Sequence, residues 1–198
     1  MSEARDDTQN AASGAEKVLR FWFADEPASR ESMIQSRWFF PTPEFDQLCT
    51  TRFLASYEDA AHGRLEDWKN GPRSCLALVL LLDQFPRNMF RGDAKAYSND
   101  DRALEVARRA LARGTDRQIE APLLQFLYLP FMHSEDLADQ LRCVDLFRTT
   151  DDTENLRYAE EHADIIRRFG RFPHRNRVLG RVTTPEEQAF LDGGGFSG

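Results

Sequence analysis

The sequence predicts an all-α protein of about seven or eight helices stacked as antiparallel pairs. Three observations lead there. Apolar residues recur at helical spacing along most of the chain, Pro or Asp starts and Gly stops punctuate the stretches, and no run alternates apolar and polar residues between hairpin turns. With 198 residues the chain can bury one sizeable core, so a single domain over residues 16–192 is expected. A disordered tail (1–15) and a flexible Gly-rich end (193–198) flank it.

The tail is polar and lacks the apolar core of a secretory signal. The aromatic start that follows, with Trp22, Phe23, Trp38, Phe39 and Phe40, suits a core; a dimer interface is the alternative. Pro43-Glu44 opens a helix whose Phe45, Leu48, Phe53, Leu54 and Tyr57 form its apolar side and whose stop is Gly63. Gly71-Pro72 then opens the most apolar helix, Arg73 to Phe85. Its run from Cys75 to Leu82 falls far short of the roughly 20 residues that span a bilayer, so it reads as a buried helix.

Ser98-Asn99-Asp100-Asp101 reads as an N-cap with acids in the first turn, and Leu104, Ala107 and Leu111 carry that helix to Gly114. Gln118 to Phe131 and Ser134 to Phe147 supply two more, separated near Pro130 and His133, with Ser134 as the N-cap of the second and Glu135 and Asp136 in its first turn. A helix from Thr153 to Phe169 ends at Gly170. Thr184-Pro185-Glu186-Glu187 is a capping box that starts a short last helix through Phe190 and Leu191.

Composition narrows the function. A formal charge of −7 works against binding of nucleic acid or an anionic membrane. The three cysteines, Cys49, Cys75 and Cys143, have no metal-binding spacing and are odd in number, which points to a reduced cytoplasm. The His-Glu-x-x-His and Glu-x-x-His pairs of helical metal sites are absent, as are a phosphate loop, a dinucleotide fingerprint and a nucleophile elbow. Neither a metal nor a cofactor is expected.

One phrase occurs twice. Phe85-Pro86-Arg87-Asn88 continues to Arg91-Gly92, and Arg171-Phe172-Pro173-His174-Arg175-Asn176-Arg177 continues to Gly180-Arg181. Because Pro disfavours the α conformation in the residue before it, both preceding helices should stop at that Phe and hand over to a guanidinium-rich turn. If the two turns share one end of the helical stack, Arg87, Asn88, Arg91, Arg171, Arg175, Asn176, Arg177 and Arg181 form a basic pocket for a small anionic ligand, since each guanidinium offers a planar fork of donors. The alternative is a helical scaffold for a protein or peptide, with these arginines binding helix-end carbonyls and pairing with some of the 33 acids. For acid–base chemistry the candidates are His133, His174 and Asp83. Asp83 sits at a helix C-terminus, where an acid opposes the macrodipole, so its first role is to orient Arg87 or Arg175. His162 lies on the apolar side of its helix, as a core or a pocket residue.

The string from Leu82 to Gly92, the triplet His133-Ser134-Glu135 and the string from Phe169 to Asn176 resemble a bacterial family known as domain of unknown function 924. Phe21-Trp22-Phe23 and Arg37-Trp38-Phe39 fit its N-terminal pattern, and the resemblance spans roughly residues 16 to 192. It implies a fold similar to tetratricopeptide-type helical repeats, although no 34-residue consensus period is legible, and it implies no activity.

Overall fold

A computed structural model describes residues 14–23 and 42–196 of the chain. The expected tail over 1–13 and the aromatic residues Trp38, Phe39 and Phe40 lie outside the described residues. Within them the regular structure is eight α-helices and no strand: α1 over 14–23, α2 Pro43–Ala61, α3 Pro72–Met89, α4 Asp100–Ala112, α5 Ala121–Met132, α6 Leu137–Arg148, α7 Thr153–Phe169 and α8 Pro185–Asp192. Short 3-10 turns lie at Glu66–Asn70, Ala94–Tyr97, Asp116–Gln118 and Pro173–Arg175. None of the described helices is long and apolar enough to cross a membrane. The chain divides into two compact units, Met1–Arg91 with Lys95–Leu127 and Gly92–Ala94 with Tyr128–Gly198, so the boundary falls inside α5.

The first unit is organised around α3. Every residue from Cys75 to Leu82 is 2% exposed or less, and α2, α4 and the Glu66–Asn70 turn pack against this helix. Burying one such aliphatic side chain is worth about 1.5–3 kcal/mol, so this run dominates the stability of the unit. Phe85 extends it into a cluster of rings, with Trp22 and Phe53 each 5.1 Å away. An exposed arginine fork, Arg73 on Glu16 at 2.6 and 2.9 Å, ties α1 to the start of α3.

Contrary to expectation, α3 does not stop at Phe85 but runs through Pro86 to Met89. Pro86 has no N–H for the preceding turn and its ring crowds that turn, at a cost of about 3 kcal/mol. Two side chains add hydrogen bonds to neighbouring carbonyls of this turn. Arg87 Nη1 donates to the Asp83 carbonyl at 2.6 Å and Asn88 Nδ2 to the Gln84 carbonyl at 3.1 Å. Burial of Phe85 at 0% exposure opposes any unwinding there. Packing thus outweighs the local preference of the Phe-Pro pair.

As expected, α5 passes through its proline, Pro130, and it ends at Met132, one residue beyond Phe131; it starts at Ala121 rather than at Gln118, which lies in the 3-10 turn before it. The helix after it begins later than expected, because Asp136 rather than Ser134 is the N-cap and accepts from Ala138 N at 2.7 Å. Asn99 does precede α4, but its amide donates to Tyr57 Oη at 2.9 Å instead of capping the helix. The ends of α2 and α7 and the capping box of α8 fall where the sequence puts them.

In the second unit α6 and α7 pack together as a hairpin, joined across residues 149–152 with Asp152 as the cap of α7. Its C-terminal side is held by Ile165, Ile166 and the wholly buried Phe172, against which Phe169, Phe190 and Phe196 pack. The glycine-rich stretch expected to be flexible bonds back through Gly194 N to Leu191 O and Gly195 N to Phe190 O, and carries Phe196 onto this cluster.

Gly170 ends α7 in the left-handed region at φ 69°. A Cβ there would meet no atom within 4 Å, so Gly170→Ala should cost only the conformational term, about 1–2 kcal/mol. Urea unfolding checks this, and an unchanged midpoint would show that the cap does not hold this conformation.

Candidate functional site

The two copies of the Phe-Pro phrase adopt different backbones but share one division of labour. In each, the Phe is wholly buried, the Asn is buried, and the Arg donates to a backbone carbonyl. The first copy is helical and belongs to the first unit. The second follows Gly170, so Phe172 is extended at φ −87° and ψ 109° and Pro173 begins a 3-10 turn in the second unit. The eight residues expected to bind a ligand divide accordingly: Arg87, Asn88 and Arg91 in the first unit, Arg171, Arg175, Asn176, Arg177 and Arg181 in the second.

In the first copy Arg87 is set between two acids. Its Nη1 and Nη2 each lie 3.0 Å from an Asp100 carboxylate oxygen, and Nη1 is also 3.2 Å from Asp83 Oδ1. Burial works against the guanidinium charge, yet Asp83 and Asp100 more than offset it and hold the Arg87 pKa above its ordinary value. Asp83, at 0% exposure, orients Arg87 as expected and also accepts from the Gln84 amide. Arg91 forks onto Asp46 of α2 at 2.8 and 3.0 Å and takes a longer bond to Asn88 Oδ1. The Asp46 hydrogen bonds raise its pKa.

Two more forks brace the second copy. Arg171 grips Glu187 of α8 at 2.6 and 2.9 Å, and Arg181 grips Glu135 at 2.8 and 2.7 Å. Glu187 is the capping-box acid; it also accepts from Thr184 N and from the Asn176 amide. The Arg171 hydrogen bond, with the Thr184 N–H and the Asn176 amide, holds its pKa near about 2. Glu135 accepts from Phe172 N as well, and although burial raises its pKa, Arg181 and that N–H leave it lowered. Asn176 Oδ1 is buried with no hydrogen-bond partner among the described residues, as is Gln140 Oε1, whose amide nitrogen donates to the Met132 and Ser134 carbonyls.

Arg175 lies on an aromatic ring. Its guanidinium carbon stands 4.5 Å over the Phe172 ring, Nη1 donates at 3.1 Å to the backbone carbonyl of His133, and its charge helps lower the Glu135 pKa. Two imidazoles flank the same ring: His162 at 5.4 Å and His174 at 5.6 Å between centroids. His162 is 6% exposed, and Nδ1 donates to the Tyr158 carbonyl at 2.7 Å, which answers the core-or-pocket alternative as a buried residue at the edge of the turn. Burial first, then the charges of His133 and Arg175, push its pKa down to about 4 against the favourable Tyr158 carbonyl. Arg177 is exposed, and its side chain pairs with no described residue.

Sequence reasoning found the arginines and missed most of what faces them. Asp46 carried no signal, while Asp100, Glu135 and Glu187 read as helix-start acids; Asp100 and Glu187 are such acids, and Glu135 precedes the Asp136 cap of α6. The central platform, Phe172, was legible only as the residue before a proline.

The fold and these forks define an all-helical protein stapled by forked arginine–carboxylate pairs. Residues 18–195 match the family described as bacterial protein of unknown function (DUF924), and the chain belongs to that family. It is similar to the solved structure of a protein of unknown function from Agrobacterium tumefaciens: 43% identity, a TM-score of 0.84, covering 92% of this chain and 99% of that one. No curated protein matches it.

The buried His162 gives a pH dependence of definite sign. Its folded pKa of about 4 lies below the ordinary 6.5, so between those values the unfolded chain takes up a proton that the fold refuses. Stability should fall as pH drops from 6.5 toward 4, and His162→Gln, which keeps a donor for Tyr158, should flatten that slope. Urea midpoints at pH 7 and pH 5 for both proteins check this; parallel slopes would contradict it.

Proposed function

We propose that the protein binds a small anionic ligand at the second Phe-Pro turn, through Arg175 with His133, His174 and Asn176, while Arg87, Arg91, Arg171 and Arg181 hold the fold. The observation that carries this reading is the setting of the Arg175 guanidinium, which lies on the Phe172 ring with the imidazoles of His162 and His174 beside that ring. The other four close fork-to-fork on carboxylates. A planar guanidinium on an aromatic face beside histidines is suited to carboxylate or phosphate recognition. Exposed Arg177, two residues further on, adds positive charge for capture.

The wider reading is of a tetratricopeptide-like, cytoplasmic protein. The α6–α7 hairpin supports the first part. Three buried free cysteines support the second, with burial pushing the Cys49 thiol up to about 12 and the Cys75 thiol up to about 11. The scaffold alternative has Leu137 and Leu141 behind it, exposed one turn apart on α6 and suited to an apolar peptide.

Thermal-shift and calorimetric titration with phosphate, sulfate, dicarboxylates and nucleotides test the ligand reading. Arg175→Lys keeps the charge but loses the planar fork, so anion binding should weaken by about 1–3 kcal/mol. Arg87→Lys should bind like wild type while melting at a lower temperature. A wild-type protein indifferent to all of these anions, or binding lost in Arg87→Lys and kept in Arg175→Lys, would overturn the reading.

A further inference from the structure

The same turn carries a cover. Phe196 stacks edge-on against His162 with ring centroids 4.4 Å apart and against His174 at 5.2 Å, so one ring lies across both imidazoles that flank Phe172. The chain reaches it through three successive glycines, Gly193, Gly194 and Gly195, after α8 has ended at Asp192. Gly194 is in the left-handed region at φ 79°, and a Cβ at Gly195 would lie 2.5–2.6 Å from atoms of the Phe190 ring. The path is therefore built for glycine at the point where it bends over Phe190, and Phe190 is itself held against Phe169 at 5.1 Å.

Two properties separate this segment from an ordinary helix end. Its backbone bonds are few and local, Gly193 N to Ala189 O, Gly194 N to Leu191 O and Gly195 N to Phe190 O, so lifting it breaks little. Its one large side chain packs at the edge of the Ile165, Ile166 and Phe172 cluster and from there closes over two nitrogen heterocycles. A glycine hinge ending in an aromatic plug has the construction of a lid.

We propose that Gly193–Phe196 is a strap that closes over the His162–His174 face of the turn and regulates entry of an anion to Arg175. The proposal rests on the ligand reading for what enters, and on the ring geometry alone for what is covered. Opening swings Phe196 away about the glycines and exposes the imidazole edges; closing desolvates them and excludes water from the bound anion.

The test uses the full chain with Phe196→Ala, which removes the plug, and with Gly195→Ala, which keeps the plug but drives the strap off Phe190. Three quantities are measured: the rate of histidine modification by diethyl pyrocarbonate, read residue by residue with exposed His62 as the internal standard, and the association rate and affinity of inorganic phosphate. Both variants should modify His162 and His174 roughly tenfold faster than wild type, with His62 unchanged, and should bind phosphate severalfold faster or tighter. Equal modification rates in all three proteins would overturn the strap, as would exposed histidines with phosphate affinity and rates unchanged. Faster modification with no phosphate binding in any protein would overturn the anion entry and the ligand reading while leaving the cover established.

Discussion

A carboxylate buried at the end of the most apolar helix is the constraint on which the first unit depends. Asp83 is wholly buried and follows a run of eight residues that are themselves almost without exposure. Such a charge is tolerable only with a compensating cation and a full set of hydrogen bonds, because the desolvation penalty of an isolated carboxylate exceeds what any single contact returns. Arg87, one turn later, supplies the cation, and Asp100 at the start of α4 then balances Arg87. The ordered sequence acid, base, acid draws α4 onto α3, and the residue that neutralises Asp83 also donates to the Asp83 backbone carbonyl in the proline-containing turn.

The repeated phrase shows how one set of residues serves two backbones. Phe anchors a core, Pro removes a donor, Arg reaches a carbonyl and Asn is buried, whether the segment is helical at 85–88 or a 3-10 turn at 172–176. What separates them is the residue before. Gly170 ends α7 ahead of the second copy, while the first copy is preceded by unbroken buried helix. Bracing differs too. Arg171 and Arg181 flank the second copy and seize Glu187 and Glu135, which leaves the intervening Arg175 to lie across Phe172.

Much of the fold was legible because its signals are local. The Thr184 capping box, the Gly170 stop and the Pro starts of α2 and α3 act on the turn they occupy, so α2, α7 and α8 fall where the sequence puts them. The misreading at Pro86 has a physical cause: the local preference of the Phe-Pro pair is set against burial that the chain reveals only when folded. At Ser134 the difficulty was competition, since Ser134 and Asp136 both suit an N-cap and the Ser hydroxyl goes instead to Asp139. The site was half legible. The donors announce themselves as a repeated phrase, but their acceptors lie up to 46 residues away, and no periodicity links Arg91 to Asp46 or Arg181 to Glu135. The aromatic cover from Phe196 had no signal beyond a glycine-rich stretch ending in a ring.

Assigning Arg87 to the fold and Arg175 to a ligand is the central claim, and a double-mutant cycle on Arg87 and Asp100 tests it most directly. With Arg87→Met, Asp100→Asn and the double variant unfolded in urea, a coupling energy of about 1.5–3 kcal/mol is predicted for a part-buried, forked pair. A coupling under about 0.5 kcal/mol, the level of an exposed surface pair, would contradict the structural assignment and return Arg87 to the list of residues available to a ligand.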